Sequence, residues 1–200
     1  RESRPEVLHQ LIRDNPLGIL VTQQNALLDA DHLPFELDAG AGLLRAHVAR
    51  ANPLWQEADG SEVLVIFRGS QAYISPNWYP SKHESHRQVP TWNYQVVHAR
   101  GRLRVMDEER FVRGNVARLT RTHEADQGKP WKLTDASEDY IRQMLAMIVG
   151  IEIEISEITG KWKLSQNKES RDALSVVEAL EQRDNPEMAE AIRQTRAKRP

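Results

Sequence analysis

The spacing of apolar positions changes character along the chain, and the changes mark out its elements. Residues 5–13 place Val7, Leu8, Leu11 and Ile12 on one helical face, and Asn15 followed by Pro16 ends that helix. Residues 17–22 (LGILVT) predict a buried strand and residues 23–25 a turn. Residues 26–37 predict a second strand broken by Pro34. After a turn at 38–42, residues 43–49 alternate Leu44, Ala46 and Val48 against Arg45 and His47, as a strand with one buried face does. Asn52-Pro53-Leu54-Trp55 then breaks the pattern. Residues 63–68 (VLVIFR) are the most β-like run, with Gly69 and Ser70 predicting a turn into 73–75. Residues 92–106 predict a long strand, with Gly101 a candidate bulge. Six or so strands joined by short turns favour an antiparallel barrel or sandwich over a doubly wound sheet.

Helical spacing follows. Residues 108–122 align Val112, Val116 and Leu119, and residues 137–148 align Ile141, Met144, Leu145 and Ile148 behind Ser137 as a cap. A polar loop, 124–134, separates them. Strict alternation returns at 149–158. Residues 170–183 predict a helix with Leu174, Val177 and Leu180 as its stripe, and Asn185 followed by Pro186 starts a last helix. Residues 193–200 (RQTRAKRP) read as a basic, mobile tail. The domain reading is one domain over 1–165 and a helical extension over 166–200.

The stretch 72–100 stands apart from this patterning. It gathers two of the five Trp and three of the four Tyr around a polar segment, 80–88, read as a loop. It serves either as a binding wall or as a hairpin with bulky cross-strand pairs. Composition narrows the alternatives. With 27 basic and 29 acidic residues among 200, the chain is not a globally basic nucleic-acid binder. The absence of Cys removes disulfides, thiolate metal sites and Cys nucleophiles, and fits a reducing, cytoplasmic setting. No apolar run approaches the roughly 20 residues that span a bilayer, so no membrane partner is expected. Arg1 is not a natural start, so preceding sequence is expected.

Dinucleotide, P-loop and nucleophile-elbow motifs are missing. Gly40-Ala41-Gly42 is followed by Arg45 where a third Gly belongs. His83-Glu84-Ser85-His86 is one residue short of HExxH, leaving a solvated loop or a weak metal site. His47 and His98 lie within strands, as hydrogen-bonded structural residues usually do. Arg45, His47 and Arg50 form a local positive stripe, either a solvated strand face or an anion seat.

AYISPNWY (72–79), VPTWNYQVVHARG (89–101) and KWKLSQNK (161–168) together resemble the PaiB family of transcriptional regulators. DNPLGILVT, ADHLPF and RAHVARANPLW agree with it, so the likeness runs in order across residues 10 to 170. The resemblance implies an α+β protein, mainly β with helices. It implies a six-stranded antiparallel FMN-binding split barrel, with additional helices in the C-terminal half, related to pyridoxamine phosphate oxidases and flavin reductases. It implies a homodimer with FMN or a similar planar ligand at the subunit interface. On that reading Ser75, Trp78 and Tyr79 line one side of the cleft, and Thr91, Trp92, Asn93 and Tyr94 the other. His47 and Arg50 are candidate phosphate or ring-edge partners, and Lys161, Lys163, Gln166 and Asn167 close the site. Such residues suit FMN, whose phosphate needs cations and hydroxyls and whose ring needs flat walls. Two positions depart from the family pattern. Asp31 stands where members carry Asn, and Ala46 where they carry Gly.

Three functions follow from the resemblance: a flavin-binding regulator, a flavin-dependent oxidoreductase, and a cofactor-free dimer acting through protein contacts. An oxidoreductase needs a proton donor over the ring, for which His98, His32 and Tyr94 are the candidates. Direct DNA binding has only the tail, 193–199, to support it, and a DNA or protein partner is left open.

Overall fold

The computed structural model describes residues 1–24 and 26–197. Helix α1 (Pro5–Asp14) begins at a proline whose fixed φ suits the first helical position. Strands β1 (Leu17–Gln24), β2 (Leu27–Pro34), β3 (Glu36–Asp38) and β4 (Leu43–Ala49) follow, then a short helix α2 (Leu54–Glu57). Strand β5 (Glu62–Ile74) leads through a single 3-10 turn (Pro76–Trp78) into helix α3 (Pro80–Ser85). Strand β6 (Thr91–Met106), helices α4 (Glu109–His123) and α5 (Glu138–Ala146), strand β7 (Ile148–Lys163) and helices α6 (Ser170–Glu181) and α7 (Pro186–Ala197) complete the order. Among the described residues no helix is long and apolar enough to cross a membrane.

The sheet has seven strands, not six, in the order β2-β1-β5-β6-β7-β4-β3. The extra strand arises at Pro34, where residues 26–37 divide into β2 and β3. A proline cannot donate to a ladder, and Phe35 instead donates its N–H to the Pro16 carbonyl at 2.8 Å. This one residue joins opposite edges of the sheet. A flat sheet of seven strands about 4.8 Å apart would hold its edges roughly 29 Å from each other. Two Cα–Cα steps of about 3.8 Å cannot bridge that distance. The sheet therefore curls shut, and β2 rests against β4. Gly18 makes room at the corner. A Cβ there would lie 2.8 Å from the Phe67 and Val65 side chains and 2.9 Å from Phe35. The Phe35 and Phe67 rings meet edge to face, 5.8 Å apart.

The chain forms two compact units that interleave in sequence. The barrel unit is Arg4–Phe67 with Val97–Thr159, and the tip unit is Arg1–Ser3, Arg68–Val96 and Gly160–Pro200. The predicted boundary after residue 165 falls inside the tip unit. The long strands β5, β6 and β7 contribute to both.

In the barrel unit β1 pairs antiparallel with β2 and β5, and β4 with β3 and β7. Leu20, Leu44, Val65, Phe67, Val97, Leu103, Ile151 and Ile153 fill the interior. Gly101 supplies a close approach: a Cβ would stand 2.2 Å from the Glu154 carbonyl oxygen. Ser137 caps α5 by accepting from the Tyr140 N–H, as its position predicts. Met144, placed on the buried stripe of that helix, is exposed.

In the tip unit a second core gathers Ala72, Ile74, Tyr79, Leu164, Ala173, Val176, Val177, Leu180, Met188, Ala189 and Ile192. Three sequence expectations change here. Gly69 and Ser70 make no turn, because 63–68 and 73–74 belong to the single strand β5, and Ser75 caps the 3-10 turn that follows. Residues 80–88 are not wholly loop, because Pro80 at the first position starts α3. Leu174 is exposed, and α6 buries Ala173 and Val176 beside Val177 and Leu180. Of the expected tail, Arg193 and Arg196 lie within α7, while 198–200, like Asn25 of the expected 23–25 turn, fall outside the described residues.

Candidate functional site

Strand alternation sorts the tip-unit candidates onto opposite faces. Ala72 and Ile74 on β5, Asn93 on β6 and Leu164 just after β7 are buried on one side. Tyr73, Trp92, Tyr94, Lys161 and Lys163 occupy the alternate positions. Tyr73 and Trp92 are 47% and 49% exposed, and their rings meet edge to face with centroids 6.1 Å apart. The Lys161 ammonium stands 5.6 Å over the Tyr94 ring. Lys163 Nζ donates to the Thr91 hydroxyl at 2.5 Å. The structure thus brings Thr91, Trp92, Tyr94, Lys161 and Lys163 together with Tyr73. Tyr73 was not among the residues singled out from the sequence, although its alternation with Ala72 and Ile74 signals an outward position.

The described lysines of the tip unit are distinctive in their partners. Lys161 meets a ring and Lys163 a hydroxyl. Lys82 donates to the Asn77 carboxamide oxygen at 2.9 Å. Lys168 donates to Gln88 Oε1 and lies 4.8 Å over the Tyr79 ring. Among the described residues none of the four has a carboxylate partner.

Other candidates serve the architecture around them. Ser75 Oγ accepts from the Asn77 N–H and so caps the 3-10 turn. Trp78 packs against the tip core beneath Arg183, whose guanidinium lies 4.7 Å from the ring. Gln166 accepts from the Leu164 N–H at 2.8 Å and donates to the Trp162 carbonyl at 2.7 Å, closing its own turn. Asn167 is exposed. Tyr79 is fully buried, and burial pushes its phenol above the ordinary range. The nearby Ser165 hydroxyl opposes that shift, yet the Tyr79 oxygen has no hydrogen bond of complete geometry. Asn93, 1% exposed, donates Nδ2 to Ser165 Oγ at 3.0 Å and leaves Oδ1 unpartnered.

His47 and Arg50 belong to the barrel unit. His47 Nδ1 is 3.1 Å from the Asn115 carboxamide oxygen on α4. Arg50 grips Asp107 through two nitrogens at 3.0 and 2.5 Å, and also donates to the Ala146 and Ile148 carbonyls. This fork holds the Asp107 carboxyl below its ordinary range. Arg45, the third member of the positive stripe, pairs with Asp38 and Glu152. The departure at Asp31 is also accommodated: its carboxylate accepts from Asn52 Nδ2 at 2.7 Å.

The segment 80–88 is fastened to α6. Asp172, a buried carboxylate, accepts from the Ser81 N–H at 3.0 Å and the Ser81 hydroxyl at 2.6 Å. Glu84, half of the motif that approximates HExxH, pairs with both terminal nitrogens of Arg171 at 2.5 and 2.7 Å.

A flat ligand carrying a phosphate matches the outward face of the tip unit. Aromatic rings offer stacking surface, and two ammonium groups with a hydroxyl offer charge-assisted hydrogen bonds. The residue types present on this face therefore fit FMN.

Comparison with known proteins agrees. Residues 1–157 match the family described as "Putative FMN-binding domain". The chain is 32% identical over 193 residues to the protease synthase and sporulation protein PAI 2 of Bacillus subtilis, covering 94% of this chain and 90% of that one. An uncharacterised protein of Emericella nidulans is 33% identical over 219 residues, covering 90% and 87%. Among solved structures, the FAD and heme binding protein from Mycobacterium smegmatis gives a TM-score of 0.64 at 15% identity, over 87% of this chain and 78% of that one. The flavocytochrome Anf3 from Azotobacter vinelandii gives 0.61 at 11% identity, over 82% and 68%. At such identities these two establish the fold alone. Flavin-binding proteins thus share the antiparallel α+β architecture, and the chain belongs to the FMN-binding family that includes the Bacillus PAI 2 protein.

Proposed function

We propose that this chain is a cytoplasmic flavin-binding regulatory protein that holds FMN on the outward face of its tip unit. The observation that carries the assignment is the set of cations without carboxylate partners beside exposed rings: Lys161 over Tyr94, and Lys163 on Thr91. Bound FMN supplies a redox-active ring with a distinct absorbance. The chain's own residues supply orientation and charge. Lys161, Lys163 and Thr91 anchor the phosphate, while Trp92, Tyr94 and Tyr73 shield the ring from water. Of the proton-donor candidates, Tyr94 lies on this face, and His98 has the same strand parity four residues further along β6.

A second copy of the chain completes the proposal. In the barrel unit, Ile19 and Val21 pair in register with Ile66 and Leu64 and, with Leu17, present a partly exposed apolar strip. A homodimer would cover it. The regulatory output then passes to a DNA or protein partner.

Titration with FMN tests the reading directly. Quenching of flavin fluorescence with micromolar affinity is expected, because Trp and Tyr rings beside the flavin quench it. Unchanged fluorescence at saturating protein refutes it. The oxidoreductase alternative rests on Tyr94 as a proton donor beside the ring, and it requires NADH or NADPH to bleach the bound flavin. Light scattering of the purified protein should give twice the monomer mass.

A further inference from the structure

Three motifs singled out in the sequence meet at one buried point that the flavin reading leaves unused. Tyr79 ends SPNWY, Asn93 lies within TWNY, and Ser165 lies within KLSQN. All three are buried in the tip unit. Asn93 Nδ2 donates to Ser165 Oγ at 3.0 Å, and the Tyr79 phenol faces the same hydroxyl. Two polar atoms remain unpartnered there, the Tyr79 hydroxyl and Asn93 Oδ1. One is able to donate and the other only to accept, and neither has a hydrogen-bond partner. Leaving either unsatisfied is costly in a packed interior.

Ser165 adds a second observation. Its φ is +58°, a conformation that a side-chain-bearing residue holds only when its surroundings impose it. Its hydroxyl accepts from Asn93, and its carbonyl accepts from the Lys168 N–H at 3.0 Å. Ser165 begins the turn directly after Lys163 and Leu164, and Asn93 is two residues beyond Thr91. The Asn93–Ser165 bond and the Lys163–Thr91 bond therefore fasten the same two strand ends.

We propose that Tyr79, Asn93 and Ser165 form a buried knot, closed by one ordered water molecule, that positions Lys163 for anion binding. The water accepts from the Tyr79 hydroxyl and donates to Asn93 Oδ1, which matches the two to four partners that buried waters take. The chemistry of the knot is neutral hydrogen bonding, so it sets geometry without adding charge to the face above. Tyr79 and Asn93 are thereby positioning residues and not ring contacts. The positioning role rests on the anion seat proposed above, whereas the knot itself does not.

A double-mutant cycle on the ligand-free protein tests the knot. Tyr79→Phe and Asn93→Leu are each expected to lower the melting temperature by ~3 °C, and the pair by clearly less than the sum. Strictly additive shifts overturn the shared water. If Asn93→Leu does not fold, Ser165→Ala takes its place in the same cycle. Affinities for FMN and riboflavin test the positioning. Tyr79→Phe should reduce the preference for FMN about threefold to tenfold and leave riboflavin binding unchanged, a split that simple destabilisation does not produce. An unchanged preference in Tyr79→Phe overturns the positioning role. A wild type with no preference for FMN refutes the anion seat and the positioning role with it, while the cycle still decides the knot.

Discussion

The two units handle positive charge differently. In the barrel unit Arg45 is shared by Asp38 and Glu152, Arg50 is gripped by Asp107, and Arg118 places Nε 2.7 Å from both oxygens of Glu36. The tip unit pairs Arg171 and Arg193 in the same manner, but it also carries Lys82, Lys161, Lys163 and Lys168 on neutral partners. An arginine fork closed on a carboxylate is committed to architecture. An ammonium resting on a hydroxyl or a ring keeps most of its field for an incoming anion. The difference separates a part that holds shape from the part proposed to receive the flavin.

Several substitutions would break or sharpen this contrast. Gly101→Val has the largest expected effect. Its side chain would collide with the Glu154 backbone where β6 meets β7, costing about 4 kcal/mol or more and leaving little folded protein by circular dichroism. Asp172→Ala strips the buried partners of Ser81 and should cost about 2 kcal/mol, seen as a lower melting temperature. Lys161→Ala with Lys163→Ala should weaken FMN binding by about 10- to 100-fold at an unchanged melting temperature. Arg50→Ala should do the reverse, lowering the melting temperature slightly while FMN affinity stays constant. If the lysine pair is silent toward FMN, the contrast collapses.

The smallest effect is a dependence on acid. Asp107 has its carboxyl lowered from 3.8, chiefly by the Arg50 hydrogen bond. A depressed folded-state value means that the pair stabilises the protein above the ordinary carboxylate range. That contribution is lost as pH falls through the lowered value. Melting temperature measured from pH 6 down through 3 should therefore fall more steeply in the wild type than in Arg50→Ala, and salt should reduce the gap.

Legibility in the sequence followed the locality of the cause. α1, β4 and α5 are visible because periodicity and caps operate within a few residues. The seventh strand is hidden because Pro34 looks like a flaw within one strand, whereas its meaning depends on edges that meet only after closure. Gly69 and Ser70 mimic a turn, yet β5 passes through them. At the site, the outward lysines and rings were legible as residue types. Their separation from Tyr79 and Asn93 was not, because one residue of alternation puts neighbours on opposite sides of a sheet. His47 and Arg50 looked like free cation and imidazole because their partners, Asn115 and Asp107, lie more than fifty positions away along the chain.

The one-residue crossing at Phe35 has a consequence in time as well as space. β3 and β4 follow β2 directly in the chain, but the free side of β4 must wait for β7, where Leu44 pairs with Ile153. At ribosomal rates of about 5–20 residues per second, that edge stays open for roughly 5–20 s during synthesis. Throughout that interval the nascent barrel offers unpaired backbone to any neighbouring chain. Crowded or overexpressing cells should therefore lose this protein to aggregation through the vacant side of β4 before its last strand arrives.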